Sequence, residues 1–268
     1  PSTYTELVEK LILDKYRSNK LDYIKLMIAA GTSFVTARRK YCEEILEKHG
    51  CSHKITVSYG LAECLSTCSF VPENSDKNNS IGVPFPGVIM KIMDSKGMRE
   101  VSTGEKGEIC ICHDGALSGV LDDEAMTTKI LRKHMDGRIW LHTGDIGFID
   151  SKGLLHYKSR LKRMIITSGY NVYPSNVEEV ILNHESVLEC AVVGVPDDNK
   201  GEIVKAFIVL KDGKNQMMAK MSIGKHLKKH LARYEQPREI EFLDKLPLTK
   251  LGKIAYKELV DMGDKKER

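Results

Sequence analysis

The sequence has no long hydrophobic run and no cysteine pattern typical of a disulfide framework. No apolar stretch approaches the roughly 18 residues that a membrane-spanning helix needs, so we expect no membrane span. The opening segment, PSTYTELVEK, lacks the apolar core of a secretory leader. The seven cysteines are an odd number and are scattered, which favours free thiols in a reducing compartment. These absences together predict a cytoplasmic protein.

Zinc spacing is also missing from the cysteines. Cys64 and Cys68 are close in sequence, as are Cys110 and Cys112, but neither pair is followed by a second pair of ligands. We therefore interpret both pairs as thiols that pack in the interior.

Charge is nearly balanced over the whole chain but not along it. The 268 residues carry a formal net charge of +4. Residues 1–157 hold 20 basic and 21 acidic side chains, whereas residues 158–268 hold 21 and 16. The basic excess of the second part suits a phosphate-bearing partner, although a solvated basic face is the simpler explanation. Aromatic residues are not interleaved with the basic ones, so we expect no nucleic-acid partner.

Apolar periodicity and turn residues divide the chain into three parts. Residues 1–80 alternate helices with short strands, which indicates a parallel sheet covered by helices. In residues 81–160, short apolar runs are joined by Asp, Ser and Gly turns, and we expect a small antiparallel sheet or barrel-like part. Residues 161–268 follow the order βαββαβ of small α+β domains. The predicted fold class is therefore α/β with an antiparallel β-barrel-like part, plus a C-terminal α+β domain.

One helix is predicted in enough detail to test its orientation. Residues 36–49 have helical spacing that places Ala37, Tyr41 and Ile45 on one apolar stripe. Gly50 follows at the position where a glycine commonly ends a helix.

Four segments place glycine and polar residues where loops follow predicted strands. They are SYGLAE at 58–63, WLHTGD at 140–145, RLKR at 160–163 and LPLTKLGKI at 246–254. Taken singly, each segment has a simpler explanation as turn glycines, a surface acid, a linker arginine or a tail lysine.

In this order the four segments resemble the motifs of the adenylate-forming superfamily of AMP-binding enzymes. This superfamily includes acyl-CoA synthetases, peptide-synthetase adenylation domains and luciferases. The resemblance covers nearly the whole chain, from about Thr3 to about Leu259, and its longest match is SRLKRMIITSGYNVYPSNVEE. It implies that residues 1–80 are the C-terminal piece of a large AMP-binding domain and residues 81–160 its barrel-like part. Residues 161–268 would then be a mobile domain, with Lys162 as its hinge.

The resemblance implies a nucleotide site in the large domain. Tyr59 would stack on adenine, and Asp145 would accept hydrogen bonds from both ribose hydroxyls. The other residues implied at the nucleotide are Ala30, Gly31, Gly60, Ala62, Tyr157 and Arg160. Glu63 would help to hold Mg²⁺, an oxygen-seeking ion that bridges phosphates.

The resemblance also implies a catalytic lysine and a CoA channel. Lys253 would place its ammonium between the substrate carboxylate and the α-phosphate, which stabilises the crowded anionic transition state. Ser168, Gly169 and Tyr170 would face the channel for the CoA thiol, where a glycine permits a close approach of a narrow ligand.

The chain departs from the family pattern in three places. Ala62 stands where a Thr or Ser usually contacts the α-phosphate, and Tyr256 stands where an arginine is common. No Gly/Ser/Thr-rich phosphate loop ending in Pro-Lys occurs in these 268 residues. Because such a loop grips the β- and γ-phosphates, ATP binding should be badly impaired without it. We therefore expect the C-terminal part of a longer enzyme that lacks the N-terminal part of its large domain, with an exposed core that favours homo-oligomers.

Within the family, the segments 140–145 and 246–254 resemble acyl-CoA synthetases more than peptide synthetases. The predicted parent activity is ligation of a carboxylic acid, expected to be a fatty acid, to CoA through an acyl-adenylate, with ATP and Mg²⁺. The alternative hypothesis is a non-catalytic remnant that binds AMP or CoA, or one half of a split enzyme.

Overall fold

The computed structural model of the protein describes residues 2–13, 21–31, 36–72, 80–94, 97, 99–250 and 252–264. The chain separates into two compact units, Pro1–Tyr157 and Lys158–Arg268. Its helices are α1 (Ser2–Leu13), α2 (Thr36–Lys48), α3 (Glu124–Ile130), α4 (Pro174–Leu182), α5 (Gln216–His230) and α6 (Tyr256–Asp264). Among the residues that the structure describes, no helix combines the length and apolar composition that a membrane crossing requires.

The first unit is built on a nine-stranded sheet. Its strands are β1 (Met27–Ala29), β2 (Ile55–Leu61), β3 (Ser66–Phe70), β4 (Ser80–Pro84), β5 (Ile89–Met93), β6 (Gly107–Cys112), β7 (Leu131–Lys133), β8 (Ile139–Ile149) and β9 (Leu155–Arg160). They pair in the order β1-β2-β3-β4-β9-β8-β6-β5, with β7 against β8. In the described residues the path does not close on itself, so the expected barrel is an open sheet.

The sheet changes from parallel to antiparallel at β2. Strand β1 pairs parallel to β2, and the pairs that follow along the sheet are antiparallel. The expectation of a parallel sheet for residues 1–80 is therefore met only at β1 and β2. Strands from residues 1–80 and from 81–160 form one continuous sheet, while the proposed boundaries within the first 160 residues remain a prediction.

Helix α2 ends as predicted but buries a different face. Gly50 has φ = +88°, and the amides of Gly50 and Cys51 donate to the carbonyls of Glu47 and Leu46. These two bonds form a Schellman cap, for which a glycine at C′ is favoured. Cys42 and Leu46 are fully buried, whereas Tyr41 of the predicted stripe is 49% exposed. The predicted face was therefore wrong in part: Ile45 packs against the cluster of Cys42 and Leu46, Tyr41 does not, and the side chain of Ala37 lies outside the described residues.

The second unit is a five-stranded sheet with helices around it. Its strands are β10 (Ile165–Thr167), β11 (Tyr170–Val172), β12 (Val187–Asp197), β13 (Gly201–Leu210) and β14 (Glu239–Phe242). They pair in the order β11-β10-β13-β12, with β14 parallel to β13. The order along the chain is β10, β11, α4, β12, β13, α5, β14 and α6, so a second short strand and a terminal helix accompany the predicted elements.

The second unit has apolar cores on both faces of its sheet. On one face α4 and α5 bury Val177, Ile181, Ile223 and Leu227. On the other, Leu259 of α6 packs in a separate cluster of buried residues around Phe207 and Val195. Helices on both faces explain why β13 is apolar at nearly every position.

Candidate functional site

The carboxyl ends of β1 and β2 lie at the same edge of the first sheet. The parallel register places Ala29 beside Val57, so Ala30 and Gly31 leave the sheet where β2 continues into Ser58 and Tyr59. Gly31 has φ = +84°, a backbone conformation that side chains other than glycine rarely adopt. Ligands of open α/β sheets bind outside the carboxyl ends of parallel strands. This edge is therefore the geometric candidate for a binding site.

Tyr59 and Asp145 come from distant parts of the chain and meet at this edge. The Tyr59 hydroxyl donates to Asp145 Oδ2 over 2.8 Å. Asp145 is only 3% exposed. Burial, followed by the charge of Asp145, raises the pKa of Tyr59 well above its usual value. The tyrosine therefore stays protonated as the donor, and Asp145 is held in one orientation.

Within β8 the pairing with β6 shifts register around residues 143–145, and this local turn inside the strand, which carries Asp145, is fixed by hydrogen bonds to β6. The Thr143 hydroxyl donates to the Ile109 carbonyl over 2.7 Å and accepts from the amide of Asp145 over 3.0 Å. Gly144 adopts φ = +69°, and its amide donates to Glu108 Oε1 over 2.9 Å. A glycine is favoured here because the turn needs the left-handed conformation.

Glu108 joins this turn to a histidine. Its Oε2 lies 2.8 Å from His142 Nδ1, and both side chains are largely buried. Burial opposes ionisation of Glu108, but the bonds from His142 and the Gly144 amide outweigh it, so the pKa of this carboxyl is lowered. The ionised carboxylate of Glu108 thus bonds to two residues of the segment 142–145, His142 and Gly144.

Ala62 and Glu63 lie in a short 3₁₀ turn, Ala62–Cys64, directly after β2. Both residues are exposed, and the Glu63 carbonyl accepts from the Leu117 amide over 2.8 Å. An exposed carboxylate fits Mg²⁺, which usually binds one or two protein carboxylates together with substrate phosphates.

Tyr157 lies near Tyr59, with the two ring centroids 6.5 Å apart. Gly60, the residue after Tyr59, lies where the pairing of β2 with β3 shifts register. The first unit therefore brings together Tyr59, Asp145 and Tyr157 of the predicted nucleotide residues.

Arg160 and Lys162 belong to the second unit. Arg160 is the last residue of β9, and Lys162 lies in the short 3₁₀ turn Leu161–Arg163. Both are exposed.

Ser168 and Gly169 form the tight turn between β10 and β11. Ser168 has φ = +49° and Gly169 has φ = +82°, as expected for a two-residue hairpin with both φ angles positive. The Ser168 amide donates to the Lys200 carbonyl over 2.9 Å, and Ser168 and Gly169 are both exposed.

A pocket of about 330 Å³ opens beside this turn. Tyr170 stacks on Tyr234 in its wall, with centroids 4.7 Å apart and an interplanar angle of 15°. The pocket is lined by Thr167, Ser168, Tyr170, Lys200, Val204, Arg233, Tyr234, Gln236 and Arg238. Three cationic side chains beside an aromatic pair suit a ligand that carries phosphate and a flat ring.

Lys253 lies in an exposed loop before α6. The Thr249 amide donates to the Lys253 carbonyl over 2.6 Å, and the Lys253 amide donates to the Thr249 hydroxyl over 3.2 Å. Gly252 has φ = +73° in this loop. The backbone of Lys253 is thus fixed while its side chain extends into solvent.

Family models match both units of the chain. The model for the AMP-binding enzyme matches residues 1–121, and the model for the AMP-binding enzyme C-terminal domain matches residues 176–253. The chain belongs to the AMP-binding enzyme family. The match includes Tyr59 and Glu63 in the first unit and Lys200 and Lys253 in the second.

Named relatives of this AMP-binding enzyme chain include ligases of carboxylic acids. It is 35% identical over 251 residues to a long-chain-fatty-acid–CoA ligase of Salmonella typhimurium, covering 93% of this chain and 43% of that protein. ATP-bound MatB from Rhodopseudomonas palustris is similar in structure, with a TM-score of 0.86 and 25% identity over 100% of this chain and 50% of that one. The anthranilate CoA ligase AuaEII, in complex with anthranoyl-AMP, has a TM-score of 0.83 and 26% identity, covering 98% of this chain and 49% of that chain. The chain thus spans about half the length of these relatives.

Several residues of the pocket beside Ser168, and the pair of Glu108 with His142, could not be found from motifs. Lys200, Arg233, Tyr234 and Arg238 come from three segments of no special composition. The basic excess of residues 158–268 was the only signal for them. His142 lies in the segment 140–145, but its pairing with Glu108 had no local signal, because it depends on the register between two strands.

Proposed function

We propose that this chain provides the adenosine-binding and CoA-binding parts of an ATP-dependent acyl-CoA ligase. The observation that carries the proposal is the hydrogen bond between Tyr59 and buried Asp145 at the carboxyl end of two parallel strands. A fixed carboxylate next to an aromatic ring can accept ribose hydroxyls while the ring stacks on adenine. Ala30, Gly31, Gly60 and Tyr157 would border the nucleotide, and Arg160 would contact the ribose.

The reaction has two steps in this proposal. The substrate carboxylate attacks the α-phosphorus of ATP, which forms acyl-AMP and releases pyrophosphate. The CoA thiol, losing its proton, then attacks the acyl carbon and expels AMP. Lys253 would offset the repulsion between carboxylate and α-phosphate in the first step. Glu63 would hold Mg²⁺, which neutralises phosphate charge when bound.

CoA would bind in the second unit. Its phosphates would be attracted to Lys200, Arg233 and Arg238, and its adenine would find the Tyr170–Tyr234 pair beside them. Ser168 and Gly169 would border the thiol end, since their tight turn adjoins the pocket. Lys162 would be the hinge about which residues 161–268 move between the two steps.

The acid is proposed to be a fatty acid, on the strength of the name of the Salmonella relative. The alternative function is binding of AMP or CoA without turnover, by a remnant or by one half of a split enzyme. Ala62, which offers no hydroxyl to an α-phosphate, is the residue that suits that alternative. Because these 268 residues contain no Gly/Ser/Thr-rich phosphate loop ending in Pro-Lys, we expect no adenylation by this chain alone.

Calorimetry with AMP tests the adenosine site. We expect Asp145→Ala to weaken AMP binding at least about tenfold, because two hydrogen bonds to a charged acceptor are lost. Asp114→Ala removes an exposed carboxylate from the same unit and should leave AMP binding unchanged. Equal affinities for the wild type and both variants would contradict the proposed adenosine site.

A second titration tests the CoA pocket. Arg233→Ala should weaken CoA binding about tenfold, because a phosphate loses a charged donor. Lys229→Ala removes the same charge from an exposed position of α5 outside the pocket and should change affinity little. Carboxylate-dependent ATP–pyrophosphate exchange separates the two functions: exchange by this chain alone would contradict its expected inactivity, and binding without exchange would agree with it.

A further inference from the structure

Three side chains with metal-binding atoms converge between β6 and β8 of the first unit. Cys110 of β6 lies directly opposite His142 of β8, and Glu108 is two residues before Cys110 on the same strand. One donor atom from each lies within 4.8 Å of the other two. Cys110 belongs to the pair Cys110–Cys112, but Glu108 and His142 do not stand at zinc-site spacing from that pair, so the sequence gave no sign of the cluster.

One of the two short distances within the cluster matches the donor separation around a tetrahedral ion. Cys110 Sγ is 3.5 Å from His142 Nδ1, and Glu108 Oε2 is 2.8 Å from the same nitrogen. Bond lengths of about 2.0–2.3 Å to Zn²⁺ place neighbouring donors about 3.4–3.6 Å apart. The thiol and imidazole already have that separation, and the carboxylate would need to withdraw by about 0.6 Å.

The surroundings hold the central histidine in place. His142 Nε2 lies 3.0 Å from His134 Nε2, and the ring of His134 stacks on Trp140. A metal-bound histidine nearly always donates its other N–H to a hydrogen-bond acceptor, which fixes the tautomer and the ring orientation. Here that acceptor would be the Nε2 atom of His134. The His142 side chain is 2% exposed and Cys110 is fully buried, so the donors are ordered before any ion arrives.

We propose that Glu108, Cys110 and His142 form a binding site for a thiophilic divalent cation, with Zn²⁺ as the ion of choice. Sulfur, imidazole nitrogen and carboxylate oxygen form a donor set that suits zinc rather than magnesium or calcium. On binding, the thiol loses its proton to solvent as the zinc–sulfur bond forms. Neutral His142 binds through Nδ1 after its proton shifts from Nδ1, where it faces Glu108, to Nε2, which then donates to His134.

Some nearby charges favour the binding of a cation at this site and others oppose it. The thiolate and carboxylate together balance the ion, whereas Lys91 and Arg132 bring positive charge close to Cys110. Because Glu108 also accepts the Gly144 amide, the ion would tie β6 to the turn that carries Asp145. The site would act as a structural clamp on that turn.

Cobalt spectroscopy tests the site directly, since Co²⁺ replaces Zn²⁺ and a thiolate ligand gives a charge-transfer band. We expect one equivalent of Co²⁺ to produce this band in the wild-type chain, and Zn²⁺ to abolish it by displacement. Cys112→Ser is the matched control, because Cys112 lies on the same strand but outside the cluster, and it should keep the band. Cys110→Ser should lose it. A wild type without the band, or one that Cys110→Ser leaves intact, overturns the proposal.

Two variants that retain the Cys110 thiol keep the test valid even if Cys110→Ser misfolds. His134→Gln changes only the outer partner of His142 and should weaken cobalt affinity about 10- to 100-fold. Glu108→Gln replaces an anionic donor by a neutral one and should weaken affinity at least as much. Both are checked for native circular dichroism. Unchanged cobalt affinity in two folded variants would overturn the site.

Discussion

Tyr59 contributes two separate groups, an aromatic ring and a hydroxyl, and the structure predicts different roles for them. In Tyr59→Phe the buried Asp145 loses a donor, which should lower the free energy of unfolding by about 1–3 kcal/mol. The ribose hydroxyls of AMP would replace that donor, so AMP should raise the Tm of Tyr59→Phe more than that of the wild type. Tyr59→Ala should instead lose stacking and bind AMP at least about fivefold more weakly. Thermal shift and calorimetry with AMP measure both effects, and a smaller Tm rise in Tyr59→Phe would contradict the pairing.

Lys205 is a buried cation in the second unit that depends on two acids of one strand. Its Nζ lies 2.9 Å from Glu239 and 3.5 Å from Glu241, and its side chain is 2% exposed. Either acid alone can pair with it, so single changes to Gln should cost little. The double variant Glu239→Gln with Glu241→Gln leaves a buried ammonium without its ion partners and should lose about 3–5 kcal/mol in urea unfolding. Adding Lys205→Met should restore most of that loss; a double variant as stable as the wild type would refute the dependence.

At the scale of elements, the hairpin between β8 and β9 depends on one carboxylate. Asp150 accepts from the amides of Lys152 and Leu154 and from His156. Burial opposes its ionisation, but these bonds outweigh it and lower the pKa of Asp150. The stability it contributes is therefore complete above the unfolded pKa of about 3.9 and is lost as the pH falls through the lower folded pKa.

Asp150→Asn should accordingly reduce the dependence of the free energy of unfolding on pH at acidic pH. The urea midpoint of the wild type should fall between about pH 5 and 2 more steeply than that of the variant. Asp114→Asn, which removes a charge from an exposed loop, should keep the wild-type slope. Parallel profiles for wild type and Asp150→Asn would argue against this role.

A glycine follows α2 and another lies within α5, and we expect replacement by alanine to change the free energy of unfolding in opposite directions at the two positions. Gly50 has φ = +88° at the Schellman cap, so Gly50→Ala should destabilise the protein by about 1 kcal/mol. Gly224 lies inside α5, and a Cβ there meets nothing within 4 Å. Gly224→Ala should therefore stabilise by about 0.5–1 kcal/mol. Urea unfolding of both variants checks the signs, and equal signs would show that the local backbone does not decide the outcome.

Element types were predictable where turn chemistry was explicit. The Asp, Ser and Gly turns expected within residues 81–160 include Asp150–Gly153, where the Gly153 amide donates to the Asp150 carbonyl over 3.0 Å. The face of α2 was not predictable, because the stripe through Cys42 and Leu46 is as apolar as the stripe through Tyr41 and Ile45. Tertiary packing, rather than periodicity, chose between them.

At the scale of the whole molecule, the two units have separate cores. Residues 158–268 contain a five-stranded sheet with helices on both faces and buried clusters of their own. We therefore predict that residues 158–268 fold alone with a single cooperative urea transition. They should also keep CoA affinity within about threefold of the whole chain, because every residue of the pocket lies in this unit. A non-cooperative transition would contradict the independence of this core.

Only part of the candidate site could be predicted from the sequence, and the limit has a physical reason. Tyr59 and Asp145 lie in local motifs whose resemblance to the AMP-binding family implied a nucleotide. The pocket around Tyr234 and Lys200, and the cluster around Cys110, form only when distant segments are brought together by strand pairing. The mixed α/β class followed from local sequence patterns. That the first sheet stays open and does not close into a barrel depends on which strands pair, and local patterns do not show this.

Strand β9 has a mechanical consequence for the link between the units. It lies between β4 and β8, inside the first sheet rather than at its edge, and its last residues enter the second unit. A force applied to the chain beyond Arg160 would therefore act on the hydrogen bonds to two neighbouring strands at once. A strand at the edge of the sheet would be held by the hydrogen bonds to one neighbour alone. The chain that leads to Arg160 is therefore held by a neighbouring strand on each side.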